Sequence, residues 1–307
     1  MTEAAVVRDW APSWPVSLGS TLGSLGRGRR DPTYRRTSDR ALWRTMRTPA
    51  GPATQRLEIR SGVVVSTSWG PGAEWAAERL PRILGADDDV SSFDASLHPI
   101  VAEQWRRYGA GMRTPSTGVV LETLVHAILE QRVTGMEARR SWGWLLARHG
   151  ESAPGPAPEA MYVFPSGEAL ARVPSWEWHK AGVENTRAAT IMRAASYAGR
   201  LQECAELPLP DAHARMTALP GVGIWTAAEV ASRALGDADA VSYGDFHVAK
   251  NVVYALTGEE DGDDDRLAEL LAPWAGHRGR VQRLVEMTGI SRPARGPRYS
   301  PLDHRAR

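Results

Sequence analysis

One stretch in the C-terminal half combines residue types that suit anion binding. It reads Leu219-Pro-Gly-Val-Gly-Ile-Trp-Thr-Ala227 and lies between two segments of helical periodicity. Gly221 and Gly223 permit a tight turn and expose backbone N–H groups at the start of the next helix, where unpaired amides and the helix dipole attract an anion. A nucleic-acid phosphate would fit there. From the spacing alone, an ordinary turn between two helices explains the two glycines equally well.

Residue counts limit the chemistry that the chain has available. Of its 37 Lys and Arg residues only Lys180 and Lys250 are lysines, so any Schiff base must use one of these or the terminal amine. The single cysteine, Cys204, excludes a disulfide within the chain, a thiolate zinc site and a four-cysteine iron–sulfur cluster. We therefore expect no metal centre and no cofactor.

The segment from Leu219 to Ala227 resembles the helix-hairpin-helix motif of the DNA base-excision glycosylases, whose hairpin reads LPGVG or LPGIG. That superfamily places a catalytic aspartate beyond the helix that follows the hairpin, and here Asp245 lies 20 residues after Trp225. The resemblance implies that the damaged nucleotide rotates out of the duplex into a pocket. It also implies that the Asp245 carboxylate stabilises the oxocarbenium-like sugar and orients or deprotonates water as the N-glycosidic bond breaks.

The residue at position 225 separates branches of this superfamily. Glycosylases that also cut the DNA backbone carry a lysine there, whereas the branch similar to bacterial 3-methyladenine DNA glycosylase II has tryptophan, as this chain does. We therefore expect a monofunctional enzyme that flips out alkylated purines of the 3-methyladenine and 7-methylguanine type. It would hydrolyse the N-glycosidic bond and leave an abasic site in base excision repair. Such cationic bases are good leaving groups and stack well on indole rings.

The same resemblance implies the walls of the base pocket and the DNA contacts. Trp225, Trp274 and Glu229 are expected at the base, with a buried core position as the alternative for both tryptophans. Arg132 is the expected wedge that fills the gap left by the base, because it ends a segment that has this role in the family. The further expected DNA contacts are Gly221, Val222, Gly223, Thr226, Gln131, His247 and Lys250. For His247 a hydrogen-bonded structural role is the alternative.

Partners and location follow from the resemblance and from hydropathy. Main-chain carbonyls of such hairpins often hold a monovalent cation in related proteins, which implies a structural cation here rather than a cofactor. The expected partner is damaged double-stranded DNA, bound by a monomer. Since no stretch approaches the roughly 20 apolar residues needed to cross a bilayer and the N-terminus lacks a signal-peptide pattern, we expect a cytoplasmic, nucleoid-associated protein without membrane contact.

The elements that must position these residues change character along the chain. Alternation in 41–48, a β-branched run in 57–68 and a helix pattern from Gly72 to Gly85 predict an α+β N-terminal domain over residues 1–97. Residues 98–290 show helical periodicity and predict an all-α helix-hairpin-helix glycosylase core, with the hairpin at 219–223. This core would form two helical subdomains with the base pocket between them. Residues 291–307 are expected to be a basic, flexible tail.

Length and charge agree with this organisation. A chain of 307 residues suggests about two domains, and 42% hydrophobic with 24% charged residues exclude a mostly disordered chain. The segment from Arg27 to Arg47 holds eight arginines, which suits either a phosphate-bearing partner or a solvated surface.

Three other functions compete with an alkylbase glycosylase. A DNA-binding protein that has lost catalysis would favour asparagine or lysine over Asp245, because a negative charge near DNA weakens binding. A glycosylase for another damaged base, such as an oxidised purine, would be expected to carry the hairpin lysine if it used that branch's chemistry. A purely structural helical scaffold would leave the spaced glycines and Asp245 as coincidences.

Overall fold

A computed structural model describes residues 4–293, and it begins with a five-stranded antiparallel sheet. The strand order is β1-β5-β4-β3-β2. The strands are β1 (Val6–Trp10), β2 (Tyr34–Arg36), β3 (Leu42–Thr48), β4 (Gly51–Arg60) and β5 (Val63–Trp69). The predicted β-branched run at 57–68 therefore spans two strands. They are joined at Ser61 and Gly62, whose φ angles of 49° and 83° belong to a tight hairpin turn.

Short helices cover this sheet. They are α1 (Leu18–Leu22), α2 (Ala73–Glu78) and α3 (Leu80–Ile83). The helix predicted from Gly72 to Gly85 is thus confirmed, although it is broken between α2 and α3 at Arg79, two residues before Pro81. Leu80 and Ile83 pack with sheet residues such as Leu42 in one buried cluster. The first domain is therefore α+β, as the alternation and helix patterns predicted.

The remainder of the described chain is almost entirely helical. A two-stranded ribbon, β6 (Glu151–Ser152) with β7 (Tyr162–Val163), interrupts it. The helices are α4 (Pro99–Tyr108), α5 (Val120–Glu130), α6 (Gly135–His149), α7 (Gly167–Ala171), α8 (Ser175–Lys180), α9 (Asn185–Ser196), α10 (Ala198–Gln202), α11 (Leu209–Thr217), α12 (Ile224–Val230), α13 (Val248–Thr257), α14 (Asp264–Leu271) and α15 (Arg278–Glu286). The fold class predicted from periodicity, an α+β domain followed by an all-α core, is confirmed.

Two hydrophobic clusters organise these helices. The first contains the apolar faces of α5, α6, α9 and α12, including Leu124, Trp142 and Ile191. The second joins Val101 of α4 to α13, α14 and α15. The second cluster therefore contains one helix that precedes the first cluster in sequence and three helices that follow it. The chain crosses from the first cluster to the second after α12.

A wider turn follows α12 at the point where the chain leaves the first cluster. Residues Ala231–Leu235 form a π-helical turn that ends at Gly236, which has φ 79°. The carbonyl of Ala231 accepts hydrogen bonds from the N–H groups of both Gly236 and Asp237. This turn directs the following loop, residues 237–247, toward the second cluster.

The described helices were also compared with the length and hydropathy of membrane-spanning helices. Among residues 4–293, no helix is both long and apolar enough to cross a membrane. Of the predicted basic tail at 291–307, residues 294–307 lie outside the described part of the chain.

Candidate active site

The hairpin between α11 and α12 is closed by backbone contacts, and its two glycines have different roles. The N–H of Val222 donates to the carbonyl of Leu219 at 3.0 Å. Gly221 has φ 95°, and a Cβ there would lie 2.3 Å from Oγ1 of Thr190 on α9, so only glycine fits. Gly223 is exposed at the N-cap of α12 with φ −94° and has open space around its Cβ position. Gly221 thus packs the hairpin on α9, whereas Gly223 presents the start of α12 to solvent.

Val222 and Thr226 could meet DNA only through their backbone groups, and their predicted DNA contacts stay predictions. Val222 is buried in the first cluster, and Thr226 is 2% exposed. Neither side chain reaches the surface, because the hairpin folds them onto the helices beneath it. The exposed apolar side chain at this turn is Ile224, which is 67% exposed at the first residue of α12. Sequence reasoning missed Ile224, although a large apolar residue next to a glycine turn is the available signal.

Gln131 and Arg132 lie in the turn between α5 and α6, and they face different ways. Nε2 of Gln131 donates to the carbonyl of Gly221 at 3.0 Å and to Oγ1 of Thr226 at 2.9 Å. Gln131 therefore positions the hairpin through these two contacts. Arg132 is exposed and has φ 57°, a left-handed conformation that costs a non-glycine residue about 1 kcal/mol or more. Such backbone strain is frequent at functional sites, and the wedge role of Arg132 stays a prediction.

The hairpin carbonyls already have hydrogen-bond donors, and the expected monovalent cation stays a prediction. Each of the three carbonyls from Leu219 to Gly221 already accepts a hydrogen bond within the described chain. The donor at Pro220 is the guanidinium of Arg193, whose Nη1 lies 2.8 Å from the carbonyl oxygen. A positive guanidinium at this position would repel a second cation. The described residues also contain no group of three or more His, Cys, Asp or Glu side chains arranged around a metal site.

Asp245 stands at the start of α13, where the backbone holds one of its carboxylate oxygens. Oδ1 accepts hydrogen bonds from the N–H groups of His247 at 2.7 Å and Val248 at 3.0 Å. Gly244, with φ 86°, forms the bend before it, and its N–H donates to Asp264 at 2.8 Å. Within residues 4–293, Oδ2 of Asp245 accepts no hydrogen bond, so the half-buried carboxylate has one fixed and one available oxygen.

Asp245 and Glu229 line the same cavity. Its volume is about 260 Å³, near the lower end of the range for small-molecule pockets. The walls come from the end of α12 and its π-helical turn, from the loop before α13, from α15, and from Ser24 of the first domain. The cavity therefore lies between the two helical clusters, and the loop that follows the π-helical turn carries Asp245 to its edge.

The cavity walls are charged, and most of their arginines are neutralised. Glu229 accepts hydrogen bonds from Arg233 and from Oγ of Ser242, both at 2.6 Å. Arg280 pairs with Asp88, which is outside the cavity. Among the described residues, neither Asp245 nor Glu286 forms an ion pair with a cationic side chain. Arg283 also lines the cavity without a carboxylate partner among the described residues, so the four carboxylates of the walls exceed their three arginines by one formal charge.

Glu286 is a cavity residue that sequence reasoning missed. Its Oε1 accepts a hydrogen bond from Nε2 of Gln282 at 2.9 Å. The pKa of Glu286 is raised above its ordinary value because protein atoms surround the carboxyl, and the nearby carboxylates of Glu229 and Asp245 raise it further. Only the fold brings these three acids together, since they belong to α12, α15 and the loop between the clusters. No short-range spacing in the sequence predicts that these three acids lie close together.

Trp274 does not line this cavity, and the structure favours the buried core position that the sequence left open for it. Its ring is 6% exposed in the second cluster, and its Nε1 donates to the carbonyl of Asp94 at 2.7 Å. Trp225 is half-buried beside the Asp245 loop, with its Cβ 3.9 Å from the Cβ position of Gly244. It too is absent from the walls of the cavity as the described residues form them, and its contact with a base remains a prediction.

An exposed patch adjoins Asp245 on the side away from the cavity. Phe246 is 70% exposed, with the ring of His247 edge-on to it at 4.8 Å. Nζ of Lys250 lies 4.2 Å from the centre of the same ring. His247 contacts Asp245 through its backbone N–H, and its exposed ring leaves the DNA contact of His247 and of Lys250 as predictions.

Solved structures with the same architecture decide the fold. A 3-methyladenine DNA-glycosylase from Archaeoglobus fulgidus superposes with a TM-score of 0.75 and 18% identity, covering 91% of this chain and 97% of that one. The chain has the helix-hairpin-helix DNA glycosylase fold. An 8-oxoguanine glycosylase/lyase from Clostridium acetobutylicum, in complex with duplex DNA, shares this glycosylase fold with a TM-score of 0.69 and 13% identity, covering 94% of this chain and all of that one.

Sequence comparison adds one curated relative. A "probable bifunctional transcriptional activator/DNA repair enzyme AlkA" of Mycobacterium tuberculosis is 33% identical over 179 residues. This match covers 56% of the present chain and 34% of the relative, so the chain spans about a third of the length of the curated relative that it matches. No family model matches the chain. The resemblance in the hairpin is confirmed at the level of the glycosylase fold.

Proposed function

We propose that this protein is a DNA glycosylase that removes alkylated purines, of the 3-methyladenine and 7-methylguanine type, from double-stranded DNA. The observation that carries the proposal is Asp245 at the edge of a cavity that lies next to a helix-hairpin-helix turn. The turn would bind the backbone of the damaged strand through its exposed amides. The flipped base would enter the cavity, which leaves its sugar beside the carboxylate.

The environment of Asp245 supports the hydrolytic step. As the N-glycosidic bond breaks, the electron pair leaves with the base and positive charge develops on the sugar. The fixed Oδ1 prevents the carboxylate from turning away, and Oδ2 remains available to face the sugar or to accept a proton from the attacking water. Both roles need one carboxylate and no cofactor.

The charge of the cavity supports a cationic base as substrate. N-alkylated purines carry a positive charge, and the unpaired carboxylates of Asp245 and Glu286 complement it. This recognition differs from the stacking on indole rings that the sequence suggested, because no tryptophan lies in the cavity walls of the described chain. The charge that would hold the base also leaves with it, so the neutral product binds less tightly.

The surroundings of position 225 support a monofunctional enzyme. A lyase step needs an amine that attacks the sugar, and the residue at the hairpin position is Trp225. Lys180 lies on α8, with its Nζ 4.7 Å from the ring centre of Trp176. Lys250 rests on Phe246 outside the cavity walls. Hydrolysis with an abasic site as the product is therefore the reaction that these residues favour.

Base release from methylated DNA tests the proposal. Duplex DNA treated with dimethyl sulfate would be incubated with the wild-type protein and with Asp245→Asn, and the free bases would be separated by chromatography. We expect the wild type to release 3-methyladenine or 7-methylguanine and the variant to release neither. Incubation of the wild type and DNA with borohydride should trap no covalent adduct. A trapped adduct would contradict the monofunctional mechanism.

A second candidate substrate class is favoured by the polar cavity wall. Ser242, Gln282 and Glu229 present hydrogen-bonding groups that suit the edge of a neutral damaged base. A glycosylase for deaminated or etheno-modified bases would use the same Asp245. Release of such a base, with no release from methylated DNA, would replace the alkylated purine by this class and leave the catalytic assignment intact.

A further inference from the structure

A groove of about 430 Å³ lies between the first domain and α6, away from the hairpin glycines. One wall is the loop from Arg27 to Pro32, and the other is the N-terminal half of α6. Each wall contributes two neighbouring exposed arginines, which are Arg29 and Arg30 on the loop and Arg139 and Arg140 on the helix. Two segments separated by more than 100 residues thus present one set of cations.

Asp31 holds the loop against α6. This buried carboxylate accepts hydrogen bonds from the N–H of Arg27 at 2.6 Å and the N–H of Thr33 at 2.8 Å. It also accepts from Nε1 of Trp142, on α6, at 3.2 Å. The loop approaches so closely that a Cβ at Gly28, which has φ 100°, would lie 2.9 Å from Cδ of Arg139. The two walls are therefore fixed relative to each other before any ligand binds.

The four arginines of the groove are not neutralised. Surface arginines elsewhere in the described chain often pair with a carboxylate, as Arg106 and Arg107 do with Glu103. Over residues 4–293, none of Arg29, Arg30, Arg139 and Arg140 forms an ion pair. Four unpaired cations at fixed positions repel one another, and a polyanion that binds them relieves this repulsion.

The groove continues into the hairpin surface through a chain of contacts. Arg139 lies one turn into α6, with its Nη1 3.2 Å from the Cβ position of Gly135. The turn that precedes α6 carries the exposed Arg132 and, beside it, Gln131. Gln131 is hydrogen bonded to the carbonyl of Gly221. The turn that contacts the hairpin and the helix that lines the groove are therefore consecutive in the chain.

We propose that this arginine groove binds the phosphate backbone of the duplex beyond the damaged nucleotide, so that the α+β domain takes part in holding DNA. The inference rests on the proposed function for the identity of the polyanion. An extended phosphate backbone matches the two arginine pairs and their continuity with the hairpin, because guanidinium groups bind phosphates with bidentate geometry. An acidic protein segment would give no reason for that continuity.

The test measures DNA binding as a function of salt. The double variants Arg29→Ala/Arg30→Ala and Arg139→Ala/Arg140→Ala would be compared with wild type on a duplex that contains an abasic-site analogue. Arg106→Ala/Arg107→Ala is the matched control, since it removes two exposed arginines from α4. Each groove variant should lower the slope of log K against log salt by about 1.8, because each lost phosphate contact contributes about 0.9. The control should keep the wild-type slope.

The outcomes separate the groove from the proposed function. Groove variants whose slope equals that of the control would overturn the groove proposal. Base release by the wild type is measured independently, so a failed glycosylase assay with reduced slopes would overturn the reaction and keep the groove. Circular dichroism of each variant would establish that the exposed substitutions leave the fold intact.

Discussion

The hairpin is shaped by backbone atoms, whereas the cavity beside it is lined by side chains from four separated segments, two of which supply charged groups. In the hairpin, Gly221 fits because it has no side chain, and the side chain of Gln131 serves to hold a carbonyl in place. In the cavity, Glu229, Arg233 and Glu286 determine the surface that a ligand meets. Under the proposed function, one region would bind any DNA backbone and the other would select a base. Substitutions should therefore act on general DNA binding in the first region and on selectivity in the second.

Asp245 lies at the edge of the cavity, and its replacement should have the largest effect. Asparagine keeps an oxygen for the N-cap of α13, so Asp245→Asn should fold and bind DNA as the wild type does. The lost negative charge should lower single-turnover base release by about 10³-fold. Parallel measurement of base release and DNA affinity checks this. An equal loss of both would mean that Asp245 is structural.

A second cavity with charged walls lies where the sheet meets the helical part of the chain. It lies between the sheet and α5, and Glu122 lines it with Arg44, whose Nη1 is buried without a partner in the described chain. Burial raises the pKa of Glu122 to about 7, although Arg44 lowers it. Because the pKa of Glu122 is higher in the folded than in the unfolded state, Glu122 contributes to the free energy of unfolding fully below about pH 4.5. This contribution is lost as the pH rises toward 7. The loss amounts to about 3 kcal/mol.

Glu122→Gln should remove this dependence. Unfolding by urea at pH 5, 6, 7 and 8 would compare the variant with wild type, and the stability advantage of the variant should grow with pH. Curves that remain parallel across this range would contradict the raised pKa.

The two hairpin glycines offer a matched pair for the stability of the backbone-built region. Gly221→Ala introduces a Cβ 2.3 Å from Thr190 at a positive φ, and it should cost about 2 kcal/mol of unfolding free energy. Gly223→Ala has room and an ordinary φ, and it should change stability by less than about 1 kcal/mol. Thermal unfolding of both variants measures the contrast. Equal destabilisation would mean that the contact with Thr190 does not determine the hairpin.

Glu286→Gln should produce the smallest effect, and it would sharpen the selective role of the cavity. The amide preserves an acceptor for Gln282, so the fold is retained. Loss of the charge should lower release of cationic bases by about tenfold, which corresponds to about 1.4 kcal/mol. Release of a neutral base should stay unchanged. Competition between 7-methylguanine and a neutral etheno-modified base in one reaction checks this. A uniform decrease for both substrates would argue against charge recognition.

The same contrast explains how much the sequence could predict. The spacing of Gly221, Gly223 and Asp245 is local, and periodicity predicted the helical surroundings that α11, α12 and α13 provide. Contacts across long separations were not accessible. Trp274 fits a pocket or a core equally well in sequence, and a hydrogen bond to the carbonyl of Asp94, 180 residues away, places it in the core. The position of Glu286 opposite Glu229 likewise depends on how α15 packs, which no motif records.

The short strands and the role of Gln131 show the same limit. β1 and β2 contain five and three residues, and they become strands because β5 and β3 supply their hydrogen bonds. Their own sequences are too short to display alternation. Gln131 was predicted as a DNA contact from its neighbour Arg132, but its partner at Gly221 is 90 residues away in the chain.

The number of residues in the π-helical turn at Ala231–Leu235 determines which groups of the following loop line the cavity. Residues after this turn, including Asp237 and Ser242, reach the cavity wall with the rotation that the wider turn imposes. Deleting one residue would restore the regular helical pitch and rotate the downstream segment by about 100°. During divergence of such chains, single-residue insertions and deletions at this point would therefore change which groups of the following loop face the cavity, while Glu229, which precedes the turn, stays in place.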